Sequence, residues 1–174
     1  MAAEDITLCF AFPDPSEDMR TFKVYETQTA SGQETELYRF SHPVTGLNSG
    51  LTSFYRRNPN TEIFEAAGSI EWFSNYSATV LFGLNQFHIR ELRRAKKSKS
   101  QSRRFKGSNG IEYKWKIAED DTGLVCVDAT KGRTVAAYVQ ETSTLTVSRK
   151  LEETLDRVVV TCFLNLWVRS MGDW

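Results

Sequence analysis

The stretch Leu155-Asp-Arg-Val-Val-Val-Thr-Cys-Phe-Leu-Asn-Leu-Trp-Val168 is apolar on nearly every side. A helix without a polar face has to be surrounded by the rest of the protein. The run Val158-Val-Val-Thr161 also favours a β-strand. The whole segment is much longer than an ordinary strand of about 5–6 residues, so its length favours a helix. We therefore predict a buried central helix near the end of the chain.

The flanking residues give this helix its expected limits, about 153–169. Thr154 offers an N-cap hydroxyl, Asp156 suits the first turn and Arg169 suits the last. A membrane span needs about 20 apolar residues, whereas this run is shorter and carries Asp156 and Arg157 in its first turn. A core helix is thus favoured over a membrane anchor. The residues expected to be most buried are Leu155, Val158, Val159, Cys162, Phe163, Leu166 and Trp167.

The sequence before the helix is typical of β-structure. About twelve short segments favour strands and recur at intervals of roughly 8–12 residues, the spacing of a sandwich or barrel. We predict one domain over residues 1–174, mainly β, with a closed or strongly curled antiparallel barrel of about twelve strands around the helix. Gly68 lies between segments 62–66 and 69–73, where it marks a bulge or a bend within one long strand. The predicted strands are 6–12, 21–27, 36–41, 51–56, 62–66, 69–73, 79–82, 86–91, 111–117, 123–128, 133–139 and 144–148.

Residues 90–106 form a basic segment, which we expect to be a loop. The net charge of the chain is zero, yet these residues include nine basic side chains and one acidic one. Such a concentration attracts phosphate groups of lipids or nucleic acids. The same run is typical of a nuclear-localisation signal or a protein-binding site, or simply of a solvated, mobile hairpin loop. The candidate anion- or lipid-binding residues are Arg90, Arg93, Arg94, Lys96, Lys97, Lys99, Arg103, Arg104 and Lys106.

Three serines lie among these cations, at positions 98, 100 and 102. Phosphorylation would add about −1.5 to −2 charges at each serine. We expect such a modification to weaken binding to an anionic surface.

Other candidate sites carry weaker signals. The strand around Tyr113-Lys-Trp-Lys116 alternates, so we expect Ile111, Tyr113, Trp115 and Ile117 on one buried face, and the lysines outside. The pair Glu71-Trp72 is more typical of an ordinary strand than of a site. His42 and His88 lie far apart in the sequence, and the three cysteines lack a metal-binding spacing. We therefore predict no catalytic residue, no metal and no cofactor, and we expect Cys162 to be a buried, inert thiol.

Three blocks of sequence resemble a known family. They are Gly68-Ser-Ile-Glu-Trp72, Ser102-Arg-Arg-Phe-Lys-Gly-Ser-Asn-Gly-Ile-Glu-Tyr-Lys-Trp-Lys116 and Leu155-Asp-Arg-Val-Val-Val-Thr161. Together they resemble an uncharacterised domain family of unknown function from fungi, chiefly mushrooms, over roughly residues 5–170. The layout is similar, more distantly, to the tubby-like group, which includes LURP-one-related proteins and phospholipid scramblases. That resemblance implies a barrel around an apolar C-terminal helix, and it transfers no functional residue.

These observations favour a non-enzymatic binding module. We expect it to dock anionic phospholipid surfaces of the phosphoinositide type through the basic segment. A protein-interaction or regulatory domain with a nuclear-localisation-like loop is the alternative, and an enzyme of unknown class is less favoured. The first residues show no export signal, so we expect a cytoplasmic protein that is peripheral to the membrane or nuclear.

Overall fold

A computed structural model describes residues 5–14 and 17–174. Within those residues the chain forms twelve strands, a short helix α1, a 3-10 helix at Arg149–Thr154 and the long helix α2. The helices are α1 (Ile89–Leu92) and α2 (Leu155–Ser170). The strands are β1 (Ile6–Ala11), β2 (Phe22–Thr27), β3 (Glu34–Ser41), β4 (Gly50–Arg57), β5 (Phe64–Trp72), β6 (Ala78–Phe82), β7 (Asn85–His88), β8 (Ser102–Lys106), β9 (Glu112–Ile117), β10 (Gly123–Asp128), β11 (Thr134–Val139) and β12 (Thr144–Val147).

The strands join in one antiparallel sheet with the order β7-β6-β5-β4-β3-β2-β1-β12-β11-β10-β9-β8. The prediction of a mainly β protein with one C-terminal helix is confirmed. The order ends at β7 and β8 and does not close, so a closed barrel is not confirmed. Segments 62–66 and 69–73 form the single strand β5, as expected if Gly68 lies within one long strand. Strand β8 was missed, because it lies inside the basic segment. The export-signal prediction rests on residues 1–6, of which 1–4 lie outside the described residues.

The contacts divide the chain into two compact units. The N-terminal unit is Leu8–Ile89, and the C-terminal unit comprises Met1–Thr7 and Arg90–Trp174. The single domain predicted over residues 1–174 stays a prediction.

A ladder of phenylalanine rings crosses the N-terminal unit. Phe22, Phe40 and Phe54 stand opposite one another on β2, β3 and β4, with ring centroids 4.2 and 5.2 Å apart. Gly68 continues the row on β5, and Phe82 follows on β6. A Cβ at Gly68 would lie 2.4 Å from the Phe54 ring, so the missing side chain lets that ring reach Phe82, with centroids 5.9 Å apart.

Gly68 also sits at the predicted bulge. Gly68 pairs with Phe54, but the next pair on β4 and β5 is Tyr55 with Ala66, so Ala67 is an extra residue. The bulge prediction is confirmed. A Cβ at Gly68, beside this bulge, would also lie 2.0 Å from the Leu81 carbonyl oxygen.

Helix α2 is the buried element of the C-terminal unit. All seven residues predicted to be most buried are at most 9% exposed. Burial of each large side chain contributes roughly 1.5–3 kcal/mol, so the helix supplies much of the apolar stabilisation. The predicted N-cap bond of Thr154 was wrong: its hydroxyl accepts from the Ser108 N–H at 2.9 Å instead. The 3-10 helix runs directly into α2, and Glu152 O accepts from the Leu155 N–H, which replaces a side-chain cap.

Polar contacts fasten α2 to the β8–β9 region. The Trp115 indole on β9 donates to the hydroxyl of Thr161 at 2.9 Å, and both residues are fully buried. Near the start of the helix, Arg157 Nη1 donates to the Lys106 carbonyl oxygen on β8 at 2.8 Å. The alternation predicted for β9 holds for Tyr113 and Trp115. It was wrong for Ile111, which is 40% exposed because it lies in the turn before the strand.

Candidate functional site

The basic segment is not one loop. Arg90 lies in α1, where the strand predicted over 86–91 gives way after His88. At the other end, β8 pairs with β9, so Arg103, Arg104 and Lys106 are strand residues. The loop predicted over 90–106 is therefore confined to residues 93–101, and Arg94 within it forms a bridge to Arg104. The alternating pattern of a strand is hidden here, because most side chains in 102–106 are polar.

Arg93 points toward the buried helix. Its Nε donates to Asn165 Oδ1 at 2.8 Å. Asn165 is fully buried on α2, and its Nδ2 donates to the Thr161 carbonyl oxygen at 2.8 Å. Burial lowers the pKa of Arg93 to about 10, and the nearby Arg103 adds to the shift. The guanidinium therefore remains charged at neutral pH, and its role is to anchor the segment.

Trp174 contacts two arginines of the basic segment, Arg93 and Arg103. Arg103 Nη1 donates to the Ser100 carbonyl oxygen at 2.8 Å, and Nη2 donates to the Trp174 main-chain oxygen. The Arg93 and Arg103 guanidinium groups lie over the Trp174 ring, at 5.9 and 5.7 Å from its centroid. The indole itself donates to the Gln101 carbonyl oxygen at 2.8 Å. These contacts use both arginines in holding residues 93–103 together.

Glu112 on β9 forms ion pairs with two arginines, Arg94 and Arg104. It accepts from Arg104 Nη1 at 2.7 Å and from Arg94 Nη2. Burial alone would raise the pKa of Glu112, but the hydrogen bonds from Arg104 and Arg94 outweigh it and hold that pKa below its usual range. The carboxylate thereby fixes the two guanidinium groups next to each other.

A basic pocket of about 640 Å³ lies between these groups. It has five cations and one carboxylate in its lining, which gives a formal charge of +4. Lys96 contributes to the pocket and is exposed, as are Lys97 and Lys99 beside it in the sequence. The lining residues are Arg90, Arg93, Arg94, Ala95, Lys96, Arg104 and Glu112. We call this feature the basic pocket.

Lys114 and Lys116 on β9 lie outside the lining of the pocket, and Lys114 is close to two of the cations that line it. The sequence analysis had assigned both lysines only to an outer strand face. Lys114 on β9 stands opposite Arg104 on β8. The pKa of Lys114 is lowered by burial first, and then by the like charges of Lys116, Arg104 and Lys96. Recognition of β8 in the sequence would have placed these cations together, because adjacent antiparallel strands bring same-face side chains within about 5 Å.

The other predicted candidates separate in the structure. Trp72 is buried, and its indole donates to the Thr52 hydroxyl at 2.9 Å, whereas Glu71 is exposed. The same hydroxyl bonds His42 Nδ1 at 2.8 Å. His88 is only half-buried on β7. Trp72 and His42 thus share a buried polar cluster that the sequence did not reveal.

Arg20 completes this buried cluster. It is 3% exposed, binds the Asp18 carboxylate through Nε and Nη2, and lies over the Trp72 ring at 5.5 Å from the centroid. Its Nη1 donates to the Asn48 carbonyl oxygen at 2.8 Å. The Nε2 atom of His42 is buried and has no hydrogen-bond partner in the described part of the chain.

Thiol and metal chemistry find no support in the described residues. Cys126 and Cys162 are fully buried, and burial raises the pKa of both thiols, which keeps them protonated and unreactive. No group of three or more His, Cys, Asp or Glu side chains in residues 5–14 and 17–174 is arranged to hold a metal ion. Among the described helices, none has both the length and the apolar character needed to cross a membrane.

Comparison with known proteins identifies the family. Residues 17–169 match the model of a family of unknown function, DUF6593. The chain belongs to the DUF6593 family. The expectation of a family of unknown function is confirmed, whereas the fungal origin stays a prediction. No curated protein matches the chain.

One solved structure is similar to this DUF6593 chain. It is a protein with unknown function from Bacteroides fragilis, 9% identical, with a TM-score of 0.33, and the match covers 84% of this chain and 94% of that chain.

Arg93 and Asn165 should be energetically coupled. We expect Arg93→Met and Asn165→Leu each to lower the free energy of unfolding by about 1.5–3 kcal/mol, because each leaves a buried polar partner unpaired. The double variant should lose less than the sum of the two, with a coupling of about 0.5–3 kcal/mol in urea unfolding. The matched pair Arg94→Met and Asn165→Leu should be additive. Additivity in both cycles would contradict an anchoring role for Arg93.

His42 should make stability depend on pH. Burial holds the pKa of His42 below its usual range, Arg20 adds to the shift and Asp18 opposes it. The unfolded chain, with a pKa of about 6.5, then binds the proton more readily, so stability is complete above that pH and declines as the pH falls below it. In urea unfolding, we expect His42→Gln to lose less stability than the wild type between about pH 7 and pH 5. Equal losses in the two proteins would exclude His42 as the source.

Proposed function

We propose that this DUF6593 protein is a non-enzymatic module that docks anionic phospholipid surfaces through its basic pocket. The main support for this proposal is the basic pocket, which has a volume of about 640 Å³ and is lined by five cations and one carboxylate. Like charges held this closely repel one another, and an anion that enters relieves the repulsion. The crowding around Lys114 supports the same conclusion.

A phosphorylated headgroup suits this arrangement better than a single carboxylate. Arginine donors that are fixed side by side match phosphate oxygens in pairs, and lysines add point charges. Glu112 holds Arg94 and Arg104 in that way, and Lys96 and Lys114 stand near them. We therefore infer a ligand with more than one phosphate, of the phosphoinositide type.

The exposed lysines would add attraction to the membrane plane. Lys96, Lys97 and Lys99 are exposed in the irregular stretch between α1 and β8. Each cation near an anionic surface contributes about 1 kcal/mol, and the attraction decays within a Debye length of about 8–10 Å. Docking of this kind is strongly salt-dependent, and it takes place at the cytoplasmic face of a membrane.

We further propose a tubby-like architecture, in which the sheet curls around α2. Support comes from the twelve antiparallel strands and from the burial of α2 along Leu155–Val168. In such a fold the helix fills the interior, so ligands bind at the surface. This favours a binding module over an enzyme.

A nuclear protein-interaction or regulatory domain is the second candidate. Short exposed lysine runs are read by import receptors, and Lys96, Lys97 and Lys99 form such a run. Fluorescent tagging with and without these lysines distinguishes the two functions, because loss of nuclear signal with unchanged vesicle binding favours this candidate.

The lysine triple variant tests membrane docking. We expect Lys96→Ala, Lys97→Ala and Lys99→Ala together to reduce partitioning onto phosphoinositide-containing vesicles on the order of 100-fold, since three cations are lost. The measurement is vesicle sedimentation at low salt, followed by a salt titration. Arg93 is left intact, because its loss would disturb Asn165.

A matched variant controls for net charge. Lys131, Arg133 and Lys150 are exposed in the same unit as the basic pocket. Their replacement by alanine also removes three positive charges, but at a distance in the sequence from residues 96–99. The control should bind nearly as the wild type does. Equal losses in both variants, or a wild-type protein that ignores anionic vesicles at low salt, would contradict the proposed site.

A further inference from the structure

Two loops without charged side chains lie at one end of the N-terminal unit. Residues 42–49 connect β3 with β4, and residues 73–77 connect β5 with β6. Because Gly50 pairs with Trp72, the loop before β4 and the hairpin after β5 emerge from the same end of the sheet. Neither loop contains Asp, Glu, Lys or Arg.

These loops expose large apolar side chains. Val44 is 94% exposed and Leu47 65%, and in the hairpin Phe73 is 59% and Tyr76 53% exposed. Leu51, at the start of β4, adds a side chain that is 48% exposed. Scattered apolar residues are ordinary on a protein surface, but several on adjacent uncharged loops mark an interaction site.

The buried cluster holds the first loop in place. Arg20 Nη1 donates to the Asn48 carbonyl oxygen at 2.8 Å, and the His42 N–H donates to the Thr21 hydroxyl at 2.9 Å. Gly50 has a φ of 135° and faces the His42 ring, which a Cβ would approach to 3.2 Å. The polar network beneath the loop thus fixes its conformation while Val44 and Leu47 project outward.

The hairpin is closed in a similar way. The Phe73 N–H donates to the Ser77 carbonyl oxygen at 2.8 Å, and the Ser77 N–H donates to the Ser74 hydroxyl at 3.1 Å. The main-chain N–H groups of Phe73 and Ser77 are therefore satisfied within the turn. The exposed rings of Phe73 and Tyr76 are presented by an ordered hairpin.

We propose that these two loops insert their apolar side chains into the interfacial region of a lipid bilayer. The inference rests on the proposed membrane docking, but the contact is apolar and so does not depend on salt. A bilayer accepts side chains without a complementary surface, and tyrosine and other amphipathic rings favour its interface. Binding would be a reversible insertion of loop tips, of the kind that apolar side chains make at the headgroup boundary.

The size of the patch favours lipid over a protein partner. An aromatic side chain offers roughly 150–250 Å² and Val or Leu less, so the exposed fractions of these five side chains amount to about 500–700 Å². A stable protein complex buries about 800 Å² on each partner and usually includes a rim with charged side chains, whereas these loops contain no charged residue. Loop tips that project from an end of a sheet reach into a soft interface more readily than they fit a rigid one.

Vesicle binding at high salt tests this insertion. High salt suppresses attraction through the basic pocket, so what remains reports apolar contact. We expect the wild type to bind phosphatidylcholine vesicles, without anionic lipid, equally at low and high salt. Leu47→Ser with Phe73→Ser should lower that binding about tenfold or more, because two buried apolar groups are lost. The same variant should lower the salt-resistant part of binding to anionic vesicles.

A matched control uses exposed apolar residues from the far ends of the same strands. Ile63 precedes β5 and is 63% exposed, and Leu84 lies in the β6–β7 turn and is fully exposed. Ile63→Ser with Leu84→Ser should bind as the wild type does. Unchanged melting temperatures in both variants would show that neither substitution disturbs folding.

The outcomes separate this inference from the proposed function. The insertion is overturned if the Leu47/Phe73 variant binds vesicles as the wild type does, or if the wild type does not bind neutral vesicles. In either case the lysine variant still tests the basic pocket. Loss of binding in the loop variant with normal binding in the lysine variant supports insertion and contradicts the pocket. Self-association of the wild type that only the loop variant abolishes, with vesicle binding unchanged, assigns the loops to a second copy of the chain and overturns lipid insertion.

Discussion

The structure depends first on the burial of helix α2. From Leu155 to Val168 almost every side chain is shielded from water, so the helix exposes almost no surface of its own and the rest of the protein must enclose it. Its buried residues include two uncharged polar side chains, Thr161 and Asn165. A buried polar group is costly unless it is paired, and these two are paired with Trp115 and Arg93.

That pairing connects the core to the charged surface. Because Asn165 requires a donor, Arg93 is held toward the helix, and the rest of the segment is displayed around it. The cations then divide by role. Arg93 and Arg103 hold the segment together, Glu112 sets Arg94 and Arg104 side by side in the basic pocket, and the exposed lysines extend the positive surface beside it. In the N-terminal unit a buried polar cluster has a comparable role, since Arg20 fixes the loop that displays Val44 and Leu47.

Much of the fold could be predicted from the regular spacing of apolar residues in the sequence, whereas most of the candidate site could not. The helix and most strands have apolar residues at regular intervals, which is why Leu155–Ser170 and Gly123–Asp128 were found. Strand β8 was missed because its outward and inward residues are mostly polar, so the pairing that places Arg104 beside Lys114 was invisible. The contacts of Asp18, Arg20, His42 and Trp72 depend on tertiary proximity, and no spacing along the chain reports it.

Removal of α2 is the most direct test of this account. A chain that ends at Glu153 lacks the helix but retains every strand and the whole basic segment. If the buried helix organises the fold, that chain will be insoluble or molten, with no cooperative unfolding transition in thermal denaturation followed by near-ultraviolet circular dichroism. A soluble, monomeric chain that unfolds cooperatively would contradict the account, because the strands would then enclose a core without the helix.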